Sequence, residues 1–114
     1  MKDQIRDTSD GLAAMTVSFI AEVWRYPGDN AWHFVTLPVE FADEIREVAG
    51  DPGRGFGSVK VVARIGTSKW STSVFPDRRS GSYVLPVKKA VRLAEGLDDG
   101  IDAEVSLELG QSQH

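Results

Sequence analysis

The chain has 114 residues, no cysteine, 41% hydrophobic and 26% charged residues, and a formal net charge of −4. That length fits one domain with a modest core, and the lack of cysteine excludes disulfides, thiolate metal sites and a cysteine nucleophile. No apolar run is long enough for a membrane-spanning helix and no basic start leads into one, so the expectation is a cytoplasmic protein with no membrane partner.

Residues 1–14 are polar and aperiodic and read as a leader, and 110–114 read as a tail, leaving one domain over 15–109. Val17, Phe19, Ala21 and Val23 alternate with Ser18, Ile20, Glu22 and Trp24, as a half-buried strand requires. "PGDN" at 27–30 turns the chain, and "AWHFVTL" returns it as the second strand of a hairpin. His33 lies between Trp32 and Phe34, so it is expected on the face opposite those rings, as a surface strand residue rather than a ligand. Pro38 then opens a helix, where its missing N–H costs nothing. Phe41, Ile45 and Val48, with Ala42 and Ala49, form its apolar stripe, and Gly50 is its cap.

"DPGRGFG" at 51–57 reads as a flexible linker. Its glycines follow a helix and precede a strand, the wrong order for a phosphate cradle. Val59, Val61, Ala63 and Ile65 point inward from the next strand, and Lys60 and Arg64 outward. "GTS" turns into "KWSTSVF", a strand ending at Pro76, and "DRRSGS" is a polar loop. After Tyr83, Val84 and Leu85, Pro86 opens a second helix with Val87, Ala90, Val91 and Ala94 inward and Gly96 as cap. "LDDGI" turns into a last strand whose inner face is Ala103, Val105, Leu107 and Leu109. The order β-β-α-β-β-β-α-β, with short strands and tight turns, predicts a mainly β protein: a small barrel or sandwich with two short helices.

Two stretches repeat. Phe34 to Gly50 and Tyr83 to Gly96 each run from an aromatic–valine pair through Leu-Pro-Val into a short amphipathic segment that ends at glycine. The simplest reading is a pseudo-two-fold pair of half-barrels with equivalent Leu-Pro corners; the alternative is a chance likeness of two corners. The copies differ in charge. Residues 38–49 carry net −3 and residues 86–95 net +2, which suits a homodimer that sets the acidic helix of one molecule against the basic helix of another.

The ordered set Phe19, Ala21, Val23 and Trp24, then "AWHFVTLP", "VKVVARIGTSKWSTSVFP", "GSYVLPVKKAVR" and "GLDDG…AEVSLEL", resembles the domain of unknown function 1905 family over about Met15 to Leu109. The resemblance implies a double-split β-barrel, the class that includes swapped-hairpin transcription factors and antitoxins, and the repeat adds the pseudo-two-fold. "LPVKKAVRLAEGLDDGIDAEV" is similar to a segment common in those proteins, with Ile101 inserted between the glycine and the aspartate.

Chemistry-bearing patterns are sparse. The only histidines are His33 and the terminal His114, too few for a metal site, and "DDGID" at 98–102 lacks the repeat and the glutamate of a calcium loop. No serine sits in a nucleophile elbow. No catalytic residue, metal or cofactor is therefore assigned. Charge is the stronger signal: residues 1–57 carry net −5, 58–92 net +7, and 93–114 net −6. The candidate ligand-binding residues are Arg64, Lys69, Trp70, Arg78, Arg79, Lys88, Lys89 and Arg92, cations interleaved with an aromatic ring. The favoured reading is a small non-enzymatic binding or interaction module that takes an anionic ligand or protein partner on this basic face or in a groove where the barrel splits. The alternatives are a nucleic-acid-binding regulator and, last, an enzyme using groove carboxylates.

Overall fold

A computed structural model describes residues 15–28, 32–49 and 57–109. The expected leader, the tail, most of the 51–57 linker, the Gly50 cap and part of the 27–30 turn lie outside the described residues, as do the side chains of Val48 and Ala49. The strands are β1 (Met15–Arg25), β2 (His33–Thr36), β3 (Val59–Ile65), β4 (Ser68–Asp77), β5 (Ser82–Pro86) and β6 (Asp102–Leu109). A 3₁₀ turn (Val39–Phe41) leads into α1 (Ala42–Ala49), and α2 spans Lys89–Glu95. All neighbouring strands are antiparallel, and they close into a barrel in the order β1-β2-β5-β4-β3-β6. The element order is the one the sequence predicts.

Two long strands make closure possible. β1 pairs with β6 from Met15 to Glu22 and with β2 from Val23 to Arg25. β4 pairs with β3 from Ser68 to Val74 and with β5 from Phe75 to Asp77. Each long strand therefore serves one sheet and then the other, and the barrel splits beside it. The helices dock at these splits: Phe41 meets Phe19 of β1 at a ring separation of 6.1 Å, and Glu95 of α2 accepts a 2.7 Å hydrogen bond from Ser68 of β4.

The inner residues are those the alternation predicts. Val17, Phe19 and Val23 of β1, Val59, Val61, Ala63 and Ile65 of β3, and Ala103, Val105, Leu107 and Leu109 of β6 are buried. Val35 and Leu85 are fully buried and stand directly opposite one another where β2 meets β5. Burying such side chains supplies most of the stabilisation of a domain this small.

The pseudo-two-fold is real, but its equivalences are not the Leu-Pro ones. Exchanging β1 with β4, β2 with β5 and β3 with β6 returns the same ring of neighbours. Hydrogen bonds give the register of the exchange. Leu37 donates its N–H to the Tyr83 carbonyl, and Val87 donates to the His33 carbonyl, both at 2.9 Å. Phe41 donates to the Pro38 carbonyl and Val91 to the Lys88 carbonyl, both at 3.0 Å. Pro38 and Lys88 are the N-cap residues of the two helical segments. Leu37-Pro38 therefore corresponds to Val87-Lys88, and the sequence match to Leu85-Pro86 is out of step by one strand period.

Pro86 consequently does not open a helix; it ends β5, opposite Phe34. The pairs that exchange bonds with β2 are at 83, 85 and 87, so the nitrogen of Pro86 faces the split, where β4 has already turned to β3. This shift also corrects the expected stripe of α2. Val87 is extended and not helical, so a periodicity counted from it has the wrong phase. Val91 is buried, but Ala90 and Ala94 are exposed. Leu97, just past the left-handed Gly96 cap, completes the docking.

His33 is a further correction. It does point away from Trp32 and Phe34, but its side is the interior: it is 8% exposed. Val35 and Leu37 must enter the core, and period-two alternation takes His33 with them and sends Trp32 and Phe34 outward.

Candidate anion-binding site

The outward residues of β3 and β4 bring two of the expected cations together. Alternation that buries Ala63 and Ile65 turns Arg64 outward, and the β3–β4 register sets Lys69 directly across from it. On its other side Arg64 faces Ser106 of β6. Ser106 and Ser18 share a 3.0 Å hydroxyl–hydroxyl hydrogen bond. Short serines between long charged side chains leave a hollow of about 290 Å³ lined by Thr16, Val62, Arg64, Lys69, Ser106 and Glu108, with Leu107 behind.

Like charges directly across an antiparallel pair repel, and such pairs cost rather than stabilise. Glu108 offsets this in part. It lies opposite Val62, hence diagonal to Arg64. The hollow is still lined by a guanidinium, an ammonium and hydroxyl groups, which is the donor set of a carboxylate or phosphate site. Arg64 and Ser106, paired across β3 and β6, straddle the pseudo-two-fold, each being the other's equivalent under the exchange of halves.

The remaining expected residues are elsewhere. Trp70 is half-buried and packs against the core, on the opposite face of β4 from Lys69. Its equivalent in the first half is Phe19. Arg78 and Arg79 lie in the β4–β5 turn, and Lys88 and Lys89 at the start of α2. The whole of β5 separates those pairs, about 16 Å at 3.3 Å per residue. Arg92 is half-buried; its Nε is buried without a hydrogen-bond partner among the described residues. The basic segment is thus several groups, not one strip. No group of three metal-ligating side chains is close enough to hold an ion among the described residues, and no described helix is long and apolar enough to cross a membrane. The split beside β1 holds a second hollow of about 400 Å³, along which Glu44 and Glu47 stand with Met15 and Phe41.

Residue-type reasoning also missed a surface. Tyr26, Trp32, Phe34 and Phe75 line a shallow apolar hollow of about 470 Å³ on the outer side of the barrel, and Trp24 packs beside it against Phe34. The signal was in the alternation, which already put Trp24 on the face opposite Val23.

These features define a class: a closed six-stranded antiparallel barrel of two interlocked halves, each with a short helix in its split. The chain belongs to the domain of unknown function 1905 (DUF1905) family, whose model matches residues 19–107. A search of the curated proteins finds no match.

Proposed function

We propose that the chain is a non-enzymatic binding module that takes an anionic group, the carboxylate or phosphate of a small ligand or peptide, between Arg64 and Lys69. One observation carries this reading: two cations stand face to face at the mouth of a hollow that also offers hydroxyl donors. A bound anion turns their repulsion into two charge-assisted hydrogen bonds. A nucleic-acid reading has less support, because Arg78 and Arg79 are a strand length from Lys88 and Lys89 and the chain as a whole is acidic.

Isothermal titration with inorganic phosphate, a tricarboxylate and a glutamate-rich peptide tests the reading. The three arms separate a phosphate ligand from a carboxylate one and from a peptide. Replacing Arg64 and Lys69 together by Ala should weaken binding at least tenfold, the loss expected when two charged hydrogen bonds go. Replacing Arg78 and Arg79 by Ala should leave it unchanged. Equal binding by the first variant and the parent chain, or no binding of any anion at millimolar concentration, would overturn it.

A further inference from the structure

An antiparallel sheet with one wet face normally turns polar residues outward. The outer face of β1, β2, β5 and β4 does the opposite. Trp24 and Phe34 lie at a ring separation of 5.1 Å, Tyr26 meets both rings at 6.3 Å, and Trp32 stacks on Phe34 at 6.4 Å. The Trp24 indole N–H is already satisfied by Thr36, at 2.9 Å, so the ring offers only apolar surface. Pro86, Val84 and Phe75 carry the face across β5 to β4. Tyr26, Trp32 and Phe75 are 49%, 54% and 41% exposed. At about 200 Å² per aromatic side chain, these three alone leave about 300 Å² of ring in water, comparable to the largest patch on an ordinary monomer.

The borders of this face carry opposite charge. On the β1 side, Glu22 continues the outward row that includes Trp24. Asp102 is its partner on β6, and Asp98 and Asp99 precede it. On the β5–β4 side, Lys88 and Lys89 follow Pro86, and Arg78 and Arg79 follow Asp77. All eight are exposed.

We infer that this face is a self-association surface, on which two copies of the chain pack aromatic sheet to aromatic sheet about a two-fold axis running along the strands. Rotation about that axis lays the β1 border of each copy on the β4 border of the other, acid on base, twice over. An axis across the strands would set like charges together. The arrangement is ordinary face-to-face sheet packing, with the sheets about 10 Å apart. A second copy is the occupant because the face carries its own complement: an apolar centre with one border of each sign. A nucleic acid would meet the acidic border, and an uncharged apolar partner would leave both borders unmatched. Pairing through strand edges is closed off, because every strand in the ring already has two neighbours. The surface lies on the opposite side of the barrel from the Arg64–Lys69 hollow, and the inference stands independently of that site.

The test is sedimentation velocity on the whole chain, with charge-reversed variants. The parent chain should dimerise at low salt, and raising salt from about 0.05 M to 0.5 M should weaken the dimer several-fold as the borders are screened. Trp32→Ser with Phe75→Ser should weaken it at least tenfold, with the far-UV circular dichroism unchanged. One variant carries Glu22→Lys, Asp98→Lys and Asp102→Lys, which leaves Asp99 to hold the Arg25 N–H and makes both its borders basic. Another carries Arg78→Glu, Arg79→Glu, Lys88→Glu and Lys89→Glu, so both are acidic. Each alone should be a monomer, and an equal mixture should form a heterodimer. The inference is overturned if the parent is still a monomer at about 100 µM, well above the micromolar range of ordinary interfaces. It is equally overturned if the two folded variants do not pair, or if a single-stranded oligonucleotide shifts the tryptophan fluorescence of a chain that stays monomeric.

Discussion

Arg64 and Lys69 stand directly opposite one another across β3 and β4, two cations on one outward face. Their repulsion makes the proposed site a cost to the empty protein. Lys69→Gln should therefore stabilise the chain by about 0.5 kcal/mol, a rise of about 2–4 °C in Tm, while weakening anion binding. Thermal melts at low and high salt check this, since the gain should shrink as salt screens the pair. A Lys69→Gln protein that is less stable at low salt would show that the two charges do not oppose each other.

Gly66 turns β3 into β4 with a φ of 60°, and a Cβ there would stand on the Glu95 carboxylate of α2. That carboxylate accepts the Ser68 hydroxyl at 2.7 Å and fastens the helix to the barrel. Gly66→Ala should cost about 2–3 kcal/mol, from the left-handed backbone and the displaced hydrogen bond together. In a Glu95→Ala background only the backbone cost remains. A double-mutant cycle by chemical denaturation should therefore return a coupling of about 1 kcal/mol; additive effects would contradict this account.

The two positions at the end of β5 should respond in opposite ways to proline chemistry. Pro86 has its nitrogen toward the split, so Pro86→Ala loses no ladder bond and should cost only about 0.4–1 kcal/mol, through a more flexible unfolded chain. Val87 donates its N–H to His33 at 2.9 Å, and Val87→Pro removes that bond at the join between the halves. It should cost about 3 kcal/mol or more. Equilibrium denaturation of both variants decides whether the register is as described.

Leu85 and Val35 meet on the pseudo-two-fold with no exposed surface. Leu85→Ala leaves a cavity that neither half can fill by a local shift, because both halves line it. The expected loss is about 3–4 kcal/mol, read as a drop in denaturation midpoint with an unchanged slope. A loss under about 1 kcal/mol would mean the barrel centre collapses freely around the gap.

Strand existence, order and inner faces were legible because period-two alternation around Val17 to Val23, Val59 to Ile65 and Ala103 to Leu109 has one physical solution: the apolar set goes in. The corners were less legible. Leu-Pro occurs twice, but Pro38 caps a helical turn and Pro86 ends a strand, and residue types alone do not say which backbone bonds a proline leaves unmade. His33 followed the same logic: the rings of Trp32 and Phe34 on either side suggested that it faces the surface, whereas Val35 and Leu37 decided its side. Of the candidate site, the adjacency of Arg64 and Lys69 needed only a tight turn at Gly66-Thr67. The placement of the other cations depended on where the barrel splits, which no local pattern announces.

The closed ring also frees the fold from its own chain order. Met15 and Leu109 are paired neighbours on β1 and β6, and exchanging the two halves leaves the ring of strands unchanged. A chain rewritten to begin at β4 and end at β3, with its old ends joined by a short tether, would meet the same neighbours at every strand. What the molecule needs is two halves that interlock, and the polypeptide is indifferent to which half is written first.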